Sequence, residues 1–248
     1  MTRNPNELVP LIINEAARIS GRMLQSVILH GDAVSHEFDP SRSVISLLFV
    51  LETCSFNEIE KVSSVFKPWL KKNKFDLRFM SSSMLEDCAF QFPVEILGIQ
   101  HSYRVLHGED CIVAINICKD RLLEQCRREL CGVLLHASGD FSQGKKGSRA
   151  ENHAIQSMLV SLLPVFQALL VVYDKKIPHS TPAVIGAIED LYGFGPSILS
   201  EIYLENMRTS NSSVFKTFYD IIKRIYEETE LVRIDNEESD DQNDELVK

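Results

Sequence analysis

Apolar residues in this chain either recur at helical spacing, alternate with polar ones, or run unbroken for a strand's length, and each pattern names an element. Leu8, Leu11, Ile12, Ala16 and Ile19 follow Asn4-Pro5-Asn6-Glu7, an N-cap, a proline at the first helical position and a glutamate closing a capping box. A first helix is therefore expected to about Gly21. Two β-branched apolar runs, Val27 to Leu29 and Val44 to Leu51, then flank a polar loop opening on Gly31, so Ser26 to Glu52 reads as strand, loop, strand. Ser55-Phe56-Asn57-Glu58 is another capping box, and Ile59, Val62, Val65, Phe66 and Leu70 mark the inward stripe of a helix. That helix is expected to end in Lys71, Lys72 and Lys74, which complement the negative end of its dipole. Phe75 to Met80 alternates as a short third strand, Ser83 to Cys88 fits a turn or two of helix, and Phe92 to Leu106 has enough β-formers for at least one further strand. The turn His107-Gly108-Glu109-Asp110 closes that stretch.

Beyond Asp120 the pattern is helical throughout. Leu122, Leu123, Cys126, Leu130, Val133 and Leu134 form one stripe; Ser148 and Glu151 cap a long helix through Val172, with a bend expected at Pro164. Thr181-Pro182 starts a shorter helix that stops near Gly193, Pro196 to Asn206 suits another, and Val214, Phe215, Phe218, Ile221, Ile222 and Ile225 mark the last. The expected fold class is α+β: a small mixed β-sheet in an α/β domain over residues 1–118, then an all-helical bundle domain over 119–234. A chain of 248 residues exceeds the usual size of one domain, in keeping with that division.

Composition adds limits. The net charge of -9 owes much to Glu237, Glu238, Asp240, Asp241, Asp244 and Glu245, in a polar stretch over 235–248 that repels itself and is expected to be disordered. An acidic chain is a poor sequence-independent binder of nucleic acid, which requires basic surface to displace counterions. The N-terminal residues carry no secretory pattern, and the apolar run Met158 to Tyr173 is interrupted by Ser161, Pro164 and Gln167 and reads as too short to span a membrane. None of the six cysteines (Cys54, Cys88, Cys111, Cys118, Cys126, Cys131) forms a CxxC pair, so they read as thiols of a reducing compartment. A cytoplasmic location without membrane contact is the expectation.

The strand, loop and strand resemble the signature of polymerase-beta-like nucleotidyltransferases. In that superfamily a strand leads into Gly-Ser, and the next strand carries an Asp-x-Asp pair that shares one face and holds two metal ions for in-line phosphoryl transfer, joined by a third carboxylate on a later strand. Here His30-Gly31-Asp32-Ala33 keeps the glycine but has Asp32 at the serine position. Ser43-Val44-Ile45-Ser46 occupies the place of the acidic pair, with Val44 and Ser46 at the carboxylate positions; valine cannot ligate a metal, and serine is a weak neutral ligand for magnesium. Phe92 to Leu97, His101 to Asp110 and the helix Leu122 to Leu130 extend the resemblance to bacterial nucleotidyltransferase-domain proteins of unassigned substrate with an all-helical C-terminal half. On this comparison Glu95 is the match to the third carboxylate, with a plain strand glutamate as the equal alternative. Gly31, Asp32 and Ser43 are the candidate nucleotide-binding residues, and Asp32, Asp39 and Glu95 the weak candidates for metal; Glu37 and Asp39 also suit a solvated loop.

Other signals carry less. Gly139 to Lys146 is one residue short of a Walker A loop, has Lys146 where a magnesium-binding Ser or Thr belongs, and continues a helical stripe; an exposed basic loop with Lys145, Lys146 and Arg149 is the better reading. Arg128 with His136 and Arg149 with His153 have the wrong spacing for a HEPN ribonuclease motif, and His30, His101, His107 and His136 read as structural or surface histidines. The resemblance thus implies a catalytically degenerate nucleotidyltransferase-like protein acting as a binding or assembly module. An active enzyme using non-standard carboxylates and a nucleotide sensor without transfer are the alternatives. No cofactor is expected; magnesium and ATP or another NTP belong only to an active enzyme. A nucleotide ligand, and a protein partner or second copy through the helical half, are the partners this leaves open.

Overall fold

The structure, a computed structural model, describes residues 5–34, 38–39, 43–71, 74–143, 149–195, 198–204 and 212–232. Four strands, β1 (Leu24–His30), β2 (Ile45–Leu51), β3 (Phe75–Ser81) and β4 (Tyr103–Gly108), form one mixed sheet in the order β3-β2-β1-β4. β1 lies antiparallel to both β2 and β4, while β2 and β3 are parallel. A parallel pair needs a crossover, and helix α2 (Phe56–Phe66) supplies it.

Alternation along the strands sends their side chains to two covers. Val27, Leu29, Leu47 and Phe49 face α1 (Pro5–Ser20) and α2, meeting Leu8, Ile12, Val62 and Phe66. The Phe49 ring packs edge-on to Phe66 and stacks on Phe79, with centroids 5.6 and 5.1 Å apart. Ile28, Leu48 and Val50 face the opposite way, onto Leu85 and Ala89 of α3 (Ser82–Gln91), Ile96 and Ile99 of α4 (Pro93–His101), and Ile112. β1 is pinned to the end of β4 by two features. The buried Ser26 hydroxyl reaches the Glu109 carbonyl at 2.7 Å, and Gly108, at φ +74°, lies so close that a Cβ there would sit 1.8 Å from the Gln25 carbonyl oxygen.

The capping box at Ser55 forms as expected: its hydroxyl accepts the Glu58 N–H, and Glu58 accepts the Ser55 N–H. The helix behind it ends earlier than its apolar stripe suggests. α2 stops at Phe66 because Pro68 has no N–H to continue the ladder; Lys71 lies in the following turn and Lys74 next to β3, so neither caps the helix. Phe92 to Leu106 supplies the expected further strand, from its C-terminal part alone. Its first half is helix α4, with Pro93 at the first position, and only its second half is strand. Pro93 lacks the donor that a first helical residue leaves unused.

After β4 the described residues contain helices α5 (Lys119–Gln143), α6 (Arg149–Val172), α7 (Thr181–Leu191), α8 (Ile198–Tyr203) and α9 (Ser212–Glu230), and no strand. Residues 139–143 of the Walker-like stretch are the last turn of α5, which removes a phosphate-loop strand. α6 also corrects the membrane reading: Glu151–Val172 has a mean hydropathy of 2.0 and is long and apolar enough to cross a bilayer. Half of it is buried inside the protein, through Ile155, Leu159, Leu162, Val165, Phe166 and Leu169, the stripe of a core helix. Asn4, Glu37, Lys145, Lys146, Ser148 and the acidic stretch 235–248 lie outside the described residues.

The chain forms two compact units: Met1–Gln125 with Phe166–Val184, and Cys126–Val165 with Ile185–Lys248. The first contains the sheet. In the second, α9 buries Phe215, Phe218, Ile222 and Ile225, Arg127 donates to the Thr229 carbonyl, and Arg224 donates to the Tyr192 carbonyl at 2.9 Å while lying over the Phe194 ring.

Candidate functional site

Strand register creates a polar row on the face of the sheet that α3 and α4 cover further along. Asp76 stands opposite Ser46, Ser46 opposite His30, and His30 opposite Tyr103, so the row crosses β3, β2, β1 and β4 in order. Directly opposed residues on neighbouring strands have Cβ atoms about 5 Å apart. Arg78 is two residues along β3 from Asp76 and therefore shares its face. Its Nε donates to Asp76 Oδ2 at 3.0 Å, and the two side chains remain 47% and 40% exposed.

His30 is different in kind. It is 8% exposed, and its Nε2 is buried with no hydrogen-bond partner among the described residues. Burial pushes its pKa down to about 4, assisted by the positive charge of Arg78 and opposed by Asp76, so the imidazole is neutral near pH 7. An unpaired buried nitrogen costs about 1–3 kcal/mol. Tyr103, at the other end of the row, is tied down: its hydroxyl donates to Asp110 Oδ2 at 2.9 Å. Burial and this bond raise the Tyr103 pKa. At Asp110 burial works upward, but the bonds from Tyr103 and from the Ile112 and Val113 N–H groups outweigh it, and the carboxyl lies below its usual range.

The glycine turn follows His30 directly. Gly31 has φ +68°, a region that suits glycine, and an added Cβ would meet nothing within 4 Å, so the backbone conformation rather than crowding calls for glycine. Its N–H bonds the Ser102 carbonyl at 3.0 Å. Asp32 is exposed in the same 3₁₀ turn. Ser43 closes the far end of the loop: its hydroxyl accepts the Asp39 N–H at 3.2 Å, and its own N–H donates to the Asp39 carbonyl at 2.8 Å. Val44 is 37% exposed and precedes Ser46 by two residues.

Glu95 lies in the first turn of α4, not on a strand, so its role as a strand carboxylate is corrected. Gln125 holds it. The Gln125 Nε2 donates to Glu95 Oε2 at 2.7 Å and its Oε1 accepts the Val94 N–H at 3.0 Å, replacing the side-chain cap that Phe92 cannot provide. Asp32, Asp39 and Glu95 thus belong to a turn, a loop and a helix, and among the described residues no group of three or more His, Cys, Asp or Glu side chains is placed to hold a metal ion. The carboxylate that does share the row with Ser46 is Asp76. Alternation in Phe75 to Met80 marks it as facing opposite to Phe75 and Leu77, but only the parallel register with β2 puts it beside Ser46. His30 and Arg78 join the site through the same register.

The sheet unit is thus a mixed four-stranded sheet with a glycine turn between antiparallel strands, and helices follow β4. Among solved structures, the chain is similar to spectinomycin adenyltransferase AAD(9) from Enterococcus faecialis, whose crystal structure is with ATP and spectinomycin. The TM-score is 0.54 at 11% identity, covering 87% of this chain and 98% of that one. At that identity the likeness is one of fold. No protein-family model and no curated protein matches the chain.

Proposed function

We propose that this chain is a nucleotidyltransferase-like protein that has given up transfer and serves as a binding or assembly module in the bacterial cytoplasm. The observation that carries this reading is the composition of the polar row. Ser46 stands where the resemblance places a metal-binding acid, Val44 where it places the other, and Asp76, the carboxylate beside Ser46, is bonded to Arg78 at 3.0 Å. In-line transfer through two metal ions requires several carboxylates at fixed positions. One ion-paired aspartate does not fit that task. A nucleotide is the ligand class for the sheet unit, because the similar adenyltransferase's structure holds ATP and the space beside the Gly31 turn is open. Six free cysteines agree with a reducing compartment.

The test is a transfer assay. The full-length protein is incubated with each α-labelled nucleoside triphosphate, magnesium or manganese, and a bacterial lysate as the source of acceptors. No protein-dependent labelled product is expected. Label appearing on any acceptor, and lost on heat denaturation of the protein, overturns the reading.

A further inference from the structure

We propose that Arg78, together with Ser46 and His30, forms an oxyanion site that holds a phosphate group directly, with the guanidinium standing in for the metal ions of the fold. The inference rests on the binding reading above and assigns the chemistry of its site.

Three polar groups on one face of adjacent strands have bonding capacity unspent among the described residues. The first is the guanidinium. Arg78 uses Nε on Asp76, and neither terminal nitrogen makes a hydrogen bond. The Nε bond also ties the guanidinium to Asp76, the residue that stands opposite Ser46 in the register. Asp76 thereby orients the fork and leaves its outer edge for a ligand, an arrangement suited to two parallel bonds to a phosphate. The second is the Ser46 hydroxyl, between the other two in the register. The third is His30, nine-tenths buried with Nε2 unpartnered. A neutral imidazole can donate to an anionic oxygen without bringing charge; because Nε2 is buried in the ligand-free protein the ring must turn outward to do so. The charges of Arg78 and Asp76 both reach this ring. A carboxylate-rich site would need a cation before a phosphate could approach. Here the cation is already covalently part of β3.

The experiment is calorimetric titration of the full chain with ATP and, separately, with inorganic phosphate, each in magnesium and in EDTA. ATP affinity is expected to differ by less than about threefold between the two conditions, since no metal bridges the contact. Arg78→Gln should weaken binding about tenfold or more in both, the loss of a charge-assisted fork. It should leave the thermal transition in place, because Arg78 is half exposed. His30 ring nitrogens, followed by NMR in the wild type, should shift on saturation with ligand. Binding of inorganic phosphate with the same Arg78 dependence identifies a site for phosphate itself, and binding of ATP alone one that also needs the nucleoside; both support the proposal. Binding that requires magnesium, binding indifferent to Arg78→Gln, or no binding of either probe overturns it. The transfer assay is read separately: labelled product defeats the binding reading, whereas magnesium-dependent binding without product defeats only this inference.

Discussion

Acidification should destabilise the protein through His30, and replacing that residue should remove the effect. In the unfolded chain the imidazole takes up its proton near pH 6.5; in the folded sheet it does so at about 4, chiefly because burial penalises the charged ring. Between those values the unfolded chain binds more protons, so stability rises with pH across the window and is lost as pH falls through it. The whole gap is worth on the order of 3 kcal/mol. Urea unfolding of the wild type and His30→Leu at intervals from pH 7.5 to 4.5 measures it, with the slope m checked for constancy. His101, whose pKa is lowered by burial and by its neighbour His179, titrates in both proteins and cancels in the difference. At pH 7.5 His30→Leu should match or exceed the wild type, since it removes an unpaired buried nitrogen. By pH 4.5 its advantage should have grown by about 2–3 kcal/mol. A difference that stays constant with pH would show that the ring is not held neutral by burial, and the description of the row would be wrong.

Other substitutions test the frame around the site. Gly108→Ala should cost at least about 3 kcal/mol in chemical unfolding, because its Cβ would sit 1.8 Å from the Gln25 carbonyl oxygen and its φ is +74°; a loss under about 1 kcal/mol contradicts the tight β1–β4 approach. Gln125→Ala should cost about 1–3 kcal/mol by leaving the buried Val94 N–H unpaired, whereas Glu95→Ala should change stability by less than about 1 kcal/mol, Glu95 being exposed. Equal losses in the two would mean that Gln125 acts through Glu95 and not as the cap of α4.

What could be read in the sequence was whatever local pattern decides. The runs from Val27 and Val44 flank a glycine loop and became β1 and β2, and Ser55 with Glu58 formed the capping box, because each depends on residues a few positions apart. Phe92 to Leu106 holds a helix before its strand, which a short apolar run with no clear period does not announce; Pro93 at a helix start is the signal for α4. Glu95 looked like a strand carboxylate for the same reason. Asp76 carries no signal in the sequence, because its partnership with Ser46 is a matter of parallel register across a helix, which no local spacing encodes. His30 reads in the sequence as a structural or surface histidine and not as an unpaired one, since that depends on what β2 and β4 place beside it.

The proposed site would hold a phosphate ligand through Arg78 and without metal carboxylates. Its most direct test is manganese titration followed by electron paramagnetic resonance, with ATP alone and with ATP plus the full chain. The account expects manganese to bind the mixture no more tightly than ATP by itself, with an affinity that Asp76→Asn leaves unchanged. A tighter manganese affinity that requires the protein, and that weakens on Asp76→Asn, would restore a metal-dependent site and contradict it.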